Sequence, residues 1–260
     1  MAQIRLDKYL ADMQLGSRSQ VKQYIRKGLV TVDSKVVTKP EQKVDTDDSE
    51  ICLEGKAVAY HCRQYYMLNK PQGVVSATVD LRYPTVVDLI TEKKRSDLFP
   101  VGRLDVDTEG LLLITNDGEL CHNLLSPKKH VDKCYYVIVQ GKVTGEDIAA
   151  CEEGIDIGTD EQPLMTAPAK LVIQHIGMVC ELPERLQEIV QKQGEAELVS
   201  QVYLTIQEGR YHQVKKMFAR LGKPVLYLKR ISMGSLVLDE NLAPGTYREL
   251  TKAELDCLQQ

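Results

Sequence analysis

A chain of 260 residues with 43% hydrophobic and 27% charged side chains is long enough to bury a core and too apolar to stay disordered, which implies one large or two unequal globular domains. It contains no run of about 18 apolar residues to cross a bilayer, and Met1-Ala2-Gln3-Ile4-Arg5-Leu6-Asp7 lacks the apolar core of a signal peptide, so no membrane association and a cytoplasmic location are expected. The formal charge of -4 excludes a wholly basic nucleic-acid coat, yet residues 1–43 carry nine basic against four acidic side chains, a net +5 that leaves -9 to the rest.

Arg5 to Met13 places Leu6, Tyr9, Leu10 and Met13 at helical spacing, with Gly16 beyond the end. A second helix follows, capped by Ser17 or Ser19, with Val21, Tyr24 and Ile25 on its buried side and Arg18, Lys22, Arg26 and Lys27 outward. Gly28 closes it, and Leu29–Val32 with Lys35–Val37 forms a hairpin about Asp33-Ser34. The words Arg-Leu-Asp-Lys-Tyr-Leu, Gly-Ser-Arg-Ser-Gln-Val, Ile-Arg-Lys-Gly-Leu-Val-Thr-Val and Lys-Val-Val resemble the alpha-L RNA-binding domain. That resemblance implies phosphate contacts from Arg5, Lys8, Arg18, Lys22, Arg26 and Lys27, since mounted cations release counterions from structured RNA.

The acidic stretch Asp45, Asp47, Asp48 and Glu50 marks the edge of this module, with Ile51–Tyr60 as its last strand and connector. The expected boundary therefore separates residues 1–60 from a body over 61–260. Tyr65–Asn69 predicts a strand entering a Lys70-Pro71-Gln72-Gly73 turn. Further strands are predicted at Leu111–Thr115, Tyr135–Val139, Ala169–Gln174, Val202–Gln207 and Ser235–Leu238, and helices at Leu120–Leu125, Gly145–Glu153, Pro183–Gln193 and His212–Leu221. Strands outnumber helices without regular alternation, which favours an α+β body over a doubly wound parallel sheet.

The segment Gly102-Arg103-Leu104-Asp105-Val106-Asp107-Thr108-Glu109-Gly110 precedes an apolar strand and sets a carboxylate beside a guanidinium on loop backbone. Asp105, Asp107 and Glu109 mimic the start of a calcium loop, but the twelfth position is Asn116 where a bidentate Glu is required. A glycosidase-like pair needs a second carboxylate across a substrate, and one turn does not identify it. Asp107, Thr108 and Glu109 also suit simple turn and capping roles. Downstream, Glu208-Gly209-Arg210-Tyr211-His212-Gln213-Val214-Lys215-Lys216-Met217-Phe218 is a turn entering a helix with one apolar and one cationic side.

Gly-Arg-Leu-Asp, then Lys133-Cys134-Tyr135, then the Glu208–Phe218 segment resemble in order and spacing the pseudouridine synthases, specifically the RsuA branch that acts on ribosomal RNA. Lys70-Pro71-Gln72-Gly73 resembles that family's first motif, and Leu228-Lys229-Arg230 with Met233-Gly234 its last. The resemblance implies a small N-terminal RNA-binding domain and a catalytic domain with a mainly antiparallel mixed sheet. It makes Asp105 the aspartate that starts isomerisation, by attacking the uridine or by taking a proton. Arg103 would fill the space left by the flipped base, Tyr135 would stack on the uracil, Lys215 would pair with Asp105 and Leu228 would seal the base from beneath. Lys70, Arg210, His212 and Gln213 would contact RNA.

No dinucleotide fingerprint, P-loop or metal cluster occurs in the sequence, and the reaction needs no cofactor, nucleotide or metal. His212-Gln213-Val214-Lys215 and Ser126-Pro127-Lys128-Lys129-His130 resemble the small-subunit enzymes, implying 16S ribosomal RNA, or an assembly intermediate of the small subunit, as partner of a monomer. A large-subunit target and a non-catalytic assembly factor stand as alternatives. His175–Ser200 is expected to be an insertion between two body strands, without an assigned role. The seven cysteines, at 52, 62, 121, 134, 151, 180 and 257, form no CxxC pair and are expected to be reduced thiols.

Overall fold

The computed structural model describes residues 3–60, 63–159, 161–194 and 196–259; Cys62 lies outside them. Two compact units are present, one of residues Met1–Tyr65, Ile90–Phe99 and Thr115–Asp117, the other of Tyr66–Leu89, Pro100–Ile114 and Gly118–Gln260.

In the first unit the elements run β1 (Gln3–Arg5), α1 (Leu6–Asp12), α2 (Arg18–Arg26), β2 (Val30–Val32), β3 (Lys35–Val36), β4 (Lys43–Asp45), β5 (Ile51–Leu53) and β6 (Lys56–Ala57). Ser17, not Ser19, caps α2: its hydroxyl accepts from Gln20 N–H at 3.3 Å while the Gln20 side chain accepts from Ser17 N–H at 2.8 Å, a reciprocal box. The Asp33-Ser34 turn has both residues in the left-handed region, φ 50° and 65°, the twist that matches a tight hairpin. Leu6, Tyr9, Leu10, Val21 and Ile25 are buried against Val30, Val44 and Ile51. Tyr24, expected inside, is only half-buried, packing along the edge of that core.

The second sheet and its helices comprise β7 (Tyr65–Lys70), β8 (Phe99–Pro100), β9 (Glu109–Thr115), α3 (Gly118–Leu125), β10 (Lys133–Gln140), α4 (Gly145–Glu153), β11 (Lys170–Met178), α5 (Glu184–Gln193), β12 (Leu198–Ile206), α6 (Gln213–Arg220), β13 (Val225–Met233), β14 (Leu236–Val237), β15 (Tyr247–Glu249) and α7 (Lys252–Leu258). The strand order is β11-β12-β10-β13-β9-β7-β15, with β14 beside β13 and β8 beside β9. Pairing is antiparallel for β11/β12, β12/β10, β10/β13, β13/β14 and β7/β15, and parallel between β13 and β9. The α+β class and the mainly antiparallel mixed sheet are thus present.

Every residue of β9 is buried, as befits a central strand covered on both faces. It begins two residues before the predicted start because Gly110, at φ +105°, lets β13 approach closely: a Cβ there would lie 2.2 Å from the Arg230 carbonyl oxygen. The expected insertion is not a separate appendage. It extends β11, continues through α5 and returns as β12, and Val190 of α5 is buried with Ile138, Val199, Leu226 and Tyr227 in a core cluster. Among the described residues no helix is long and apolar enough to cross a membrane.

Candidate active site

The Gly102–Gly110 turn is fixed by backbone partners. Gly102 has φ +78°, a conformation that costs a side chain about 1–2 kcal/mol. Leu104 N–H donates to Ser76 Oγ at 3.0 Å, and the Ser76 hydroxyl donates to the Leu104 carbonyl at 2.8 Å. Thr108 N–H closes the turn on the Asp105 carbonyl at 3.1 Å, and Gly73 N–H donates to the Val106 carbonyl at 2.8 Å.

Lys70 completes this clamp and corrects a prediction. Its side chain is fully buried, and its Nζ donates to the carbonyls of Pro71, Thr108 and Val106 at 2.9, 3.0 and 3.3 Å. An ammonium with all three protons taken by backbone oxygens has none to offer a phosphate. Lys70 holds the turn and faces backbone, not the groove surface expected of it. Burial pushes its pKa down to about 8, against the nearby carboxylates of Asp107, Asp105 and Glu109.

Gln213 lines the same cavity as Asp105 and is held by neighbouring residues. It is buried, its Oε1 accepts from Arg210 N–H at 2.9 Å and its amide donates to Glu208 Oε1 at 2.7 Å. Glu208 also accepts from Ala167 N–H at 2.9 Å and pairs with Arg210 at 3.0 Å. This network shapes the approach to α6, whose preceding residue His212 sits in the left-handed region at φ 52°. The His212 and Tyr211 rings stack with centroids 3.8 Å apart.

That backbone bend and the first turn of α6 bring two nitrogens to Asp105. Lys215 Nζ lies 3.3 Å from its Oδ2 and His212 Nε2 lies 3.5 Å from its Oδ1. Lys215 also pairs with Asp107, so Asp107, expected only to turn the chain, shares the ammonium. Glu109 points elsewhere, to Arg185 and Tyr227. Of the three acids of the calcium-like pattern, Asp105 and Asp107 thus share Lys215 while Glu109 turns away, and the described residues hold no group of three or more His, Cys, Asp or Glu able to bind a metal.

Asp105 borders a cavity of about 70 Å³ with Arg103, Thr108, Tyr135, Lys215 and Leu228. Tyr135 and Leu228 are almost wholly buried, one from β10 and one from the neighbouring β13, where Tyr135 pairs with Arg230. Thr108 Oγ1 is buried on this wall with no hydrogen-bond partner, a polar group awaiting one. The cavity shares Arg103, Asp105, Arg210, His212 and Lys215 with a groove of about 980 Å³, which Lys133 and Tyr211 also line. Arg103 is exposed at this rim and makes no hydrogen bond or ion pair with any described residue.

Chemically, the arrangement offers one carboxylate, 28% exposed beside an ammonium, at a small pocket with Tyr135 and Leu228 in its walls that adjoins a cation-rich groove. An aromatic ring and a leucine suit a planar base, and the groove suits its polyanionic chain. Thr108, Ser76 and the Glu109 partners were not singled out by sequence reading. Only the Lys-Pro-x-Gly word pointed to the clamp, without showing which way its lysine faced.

In the first unit the expected RNA contacts divide. Arg5 donates twice to Asp7 at 3.0 Å, with Lys22 at 3.8 Å and Arg18 at 3.9 Å from the same carboxylate. Lys8, Arg26 and Lys27 are exposed.

Comparisons with known proteins place the chain in a family. The family model for RNA pseudouridylate synthase matches residues 64–220, and that for the S4 domain matches residues 4–49. The chain is 46% identical over 258 residues to the uncharacterized RNA pseudouridine synthase YtzG of Bacillus subtilis, covering 99% of both chains. It is 39% identical over 256 residues to ribosomal small subunit pseudouridine synthase A of Haemophilus influenzae, covering 98% of this chain and 99% of that one. A crystal structure of a pseudouridylate synthase superposes with a TM-score of 0.61 at 38% identity, over 98% of this chain and 99% of the other.

Proposed function

We propose that this chain, which belongs to the RNA pseudouridylate synthase family, converts one uridine of small-subunit 16S ribosomal RNA, of the uridine-516 type, to pseudouridine during ribosome biogenesis. The observation that carries the reading is the single carboxylate of Asp105, held 3.3 Å from Lys215 Nζ at a cavity bordered by Tyr135 and Leu228. The full-length likeness to small-subunit enzymes supports the choice of RNA.

The uridine leaves its stack and enters the cavity, where Tyr135 stacks on the ring and Leu228 closes the space beneath it. Arg103, unpaired at the rim, occupies the vacated position in the RNA. Asp105 starts the isomerisation, by attack or by taking a proton. The C1′–N1 bond breaks, the uracil turns, and a C1′–C5 bond forms; C5 gives up its proton and N1, freed from the ribose, takes one up, so that the proton count is unchanged. Lys215 pairs with Asp105 across 3.3 Å, and Tyr135 and Leu228 keep water from the faces of the base. Residues 1–60 grip phosphate as an RNA-binding module, residues 61–260 carry the chemistry, and the protein works as a cytoplasmic monomer.

Tritium release from uridine labelled at C5 tests this reading. Small-subunit transcripts or assembly particles should release tritium with the native protein and none with Asp105→Asn. Release from large-subunit RNA alone would replace the target, and release from neither would make the chain an RNA-binding assembly factor.

A further inference from the structure

Glu109 is 2% exposed, and an ionised carboxylate at such depth requires partners. It has two, from distant parts of the chain. Arg185, near the start of α5, pairs with Oε1, and the buried Tyr227 hydroxyl on β13 donates to Oε2 at 2.7 Å. Burial and the adjacent carboxylate push the Tyr227 phenol up, which keeps its proton available for that bond.

The location matters more than the pair itself. Glu109 is the first residue of β9, opposite Lys229 of β13 in parallel register, and it directly follows Thr108 on the cavity wall. Tyr227 directly precedes Leu228, which lines the same cavity. One carboxylate thus links the end of the Asp105 turn to the strand carrying the pocket floor. Lys229 also lies within the field of Glu109, with burial pushing its pKa down, but it is the Arg185 guanidinium that forms the ion pair with the carboxylate. The far end of α5 reaches the same region: Gln193 lines a small crevice with Gln72, Asp107, Lys215 and Leu228.

We propose that Arg185, on the helix between β11 and β12, is a positioning residue for the isomerisation, fixing the Asp105 turn and Leu228 relative to each other through Glu109 and Tyr227. The inserted segment thereby gains a role in turnover, with no contact to substrate required of it. The proposal rests on Asp105 being the reactive carboxylate.

Single-turnover tritium release at saturating small-subunit RNA, with RNA affinity measured separately, tests it. Arg185→Ala is expected to slow release by about tenfold to a hundredfold, as small displacements of a reacting group do, with affinity unchanged. Glu109→Gln removes the charge that needs Arg185, so in the Glu109→Gln background the Arg185→Ala change should have little further effect. Arg185→Lys should recover part of the rate. Weaker RNA binding with an unaltered rate at saturation would mean that Arg185 holds RNA, and would overturn the proposal. So would equal losses from Arg185→Ala in both backgrounds, or no loss at all. Should Arg185→Ala fail to fold, Glu109→Gln and Arg185→Lys decide, and native rates for both overturn it. Turnover by Asp105→Asn would instead remove the reading on which the proposal rests.

Discussion

Asp7 and Asp105 are each a carboxylate attended by basic side chains, and their surroundings set them to opposite tasks. Asp7 has no exposed side-chain surface, with Arg5 bonded to it and Arg18 and Lys22 within 4 Å. Although burial alone would raise its pKa, the Arg5 hydrogen bonds and the surrounding positive charge hold it below the ordinary carboxylate range. Asp105 keeps 28% of its side chain exposed, and its nearest nitrogens stand at 3.3 and 3.5 Å. A carboxylate with all its oxygens engaged holds a fold together, whereas one left open on a cavity is free to meet a substrate. Electrostatic type is shared; solvent access and unfilled acceptor capacity separate the two.

The contrast breaks most sharply on two substitutions. Asp105→Asn is expected to lower tritium release by about 10⁴-fold or more, with RNA affinity within a few fold and an unchanged melting curve. Asp7→Asn should do the reverse, lowering the melting temperature by on the order of 5 °C and leaving the rate at saturating RNA intact. Loss of that rate in Asp7→Asn would erase the distinction between them.

Lys70 supplies the next test, through pH. Its folded pKa of about 8 lies below the 10.5 of an unburied lysine. Between those values the unfolded chain retains a proton that the folded chain has released, so this group adds stability as pH rises from about 8 to 10.5, on the order of 2–3 kcal/mol. Urea unfolding of the native protein minus that of Lys70→Met, across the same range, should show this slope. A flat difference would place the ammonium in a wetter site than the one described.

Smaller effects sharpen the cavity and the module. Tyr135→Ala should cost about 1–3 kcal/mol in the turnover barrier with RNA affinity nearly unchanged; equal losses in both would make the ring general RNA-binding surface. In the first unit, Arg26→Gln should reduce the salt dependence of RNA binding by about one phosphate contact. Arg5→Gln should act chiefly on thermal stability, because Arg5 is committed to Asp7.

Much of the architecture was legible in the residue order. The spacing of Leu6, Tyr9 and Leu10, the Gly28 stop, the helix at 145–153 and the strand after Gly110 all rest on local periodicity and turn chemistry, which neighbouring residues express without distant help. The family's motif words likewise gathered Arg103, Asp105, Tyr135, Lys215 and Leu228, and these five line one cavity. The direction in which Lys70 faces was not legible, because a charged residue inside a recognised motif looks the same whether it faces RNA or backbone. Three carbonyls at 2.9 to 3.3 Å turn it inward, whereas Gln213 is engaged by the Glu208–Arg210 network and still lines the cavity. The pairing of Glu109 with Arg185 spans 76 positions, and no local pattern announces a contact of that range.

By itself, then, the sequence determined the α+β class, the basic N-terminal segment and the identity of the turn around Asp105, because these depend on residue type and short-range order. Tertiary structure alone decided that Asp105 and Asp107 share Lys215 while Glu109 turns away, which lysine is buried against the turn and which faces Asp105, and where the helix between β11 and β12 docks. The physical reason is that solvent access and long-range pairing are set by how strands far apart in the chain are laid side by side. A carboxylate becomes glue or reagent only when that packing has fixed how much water and how many partners reach it.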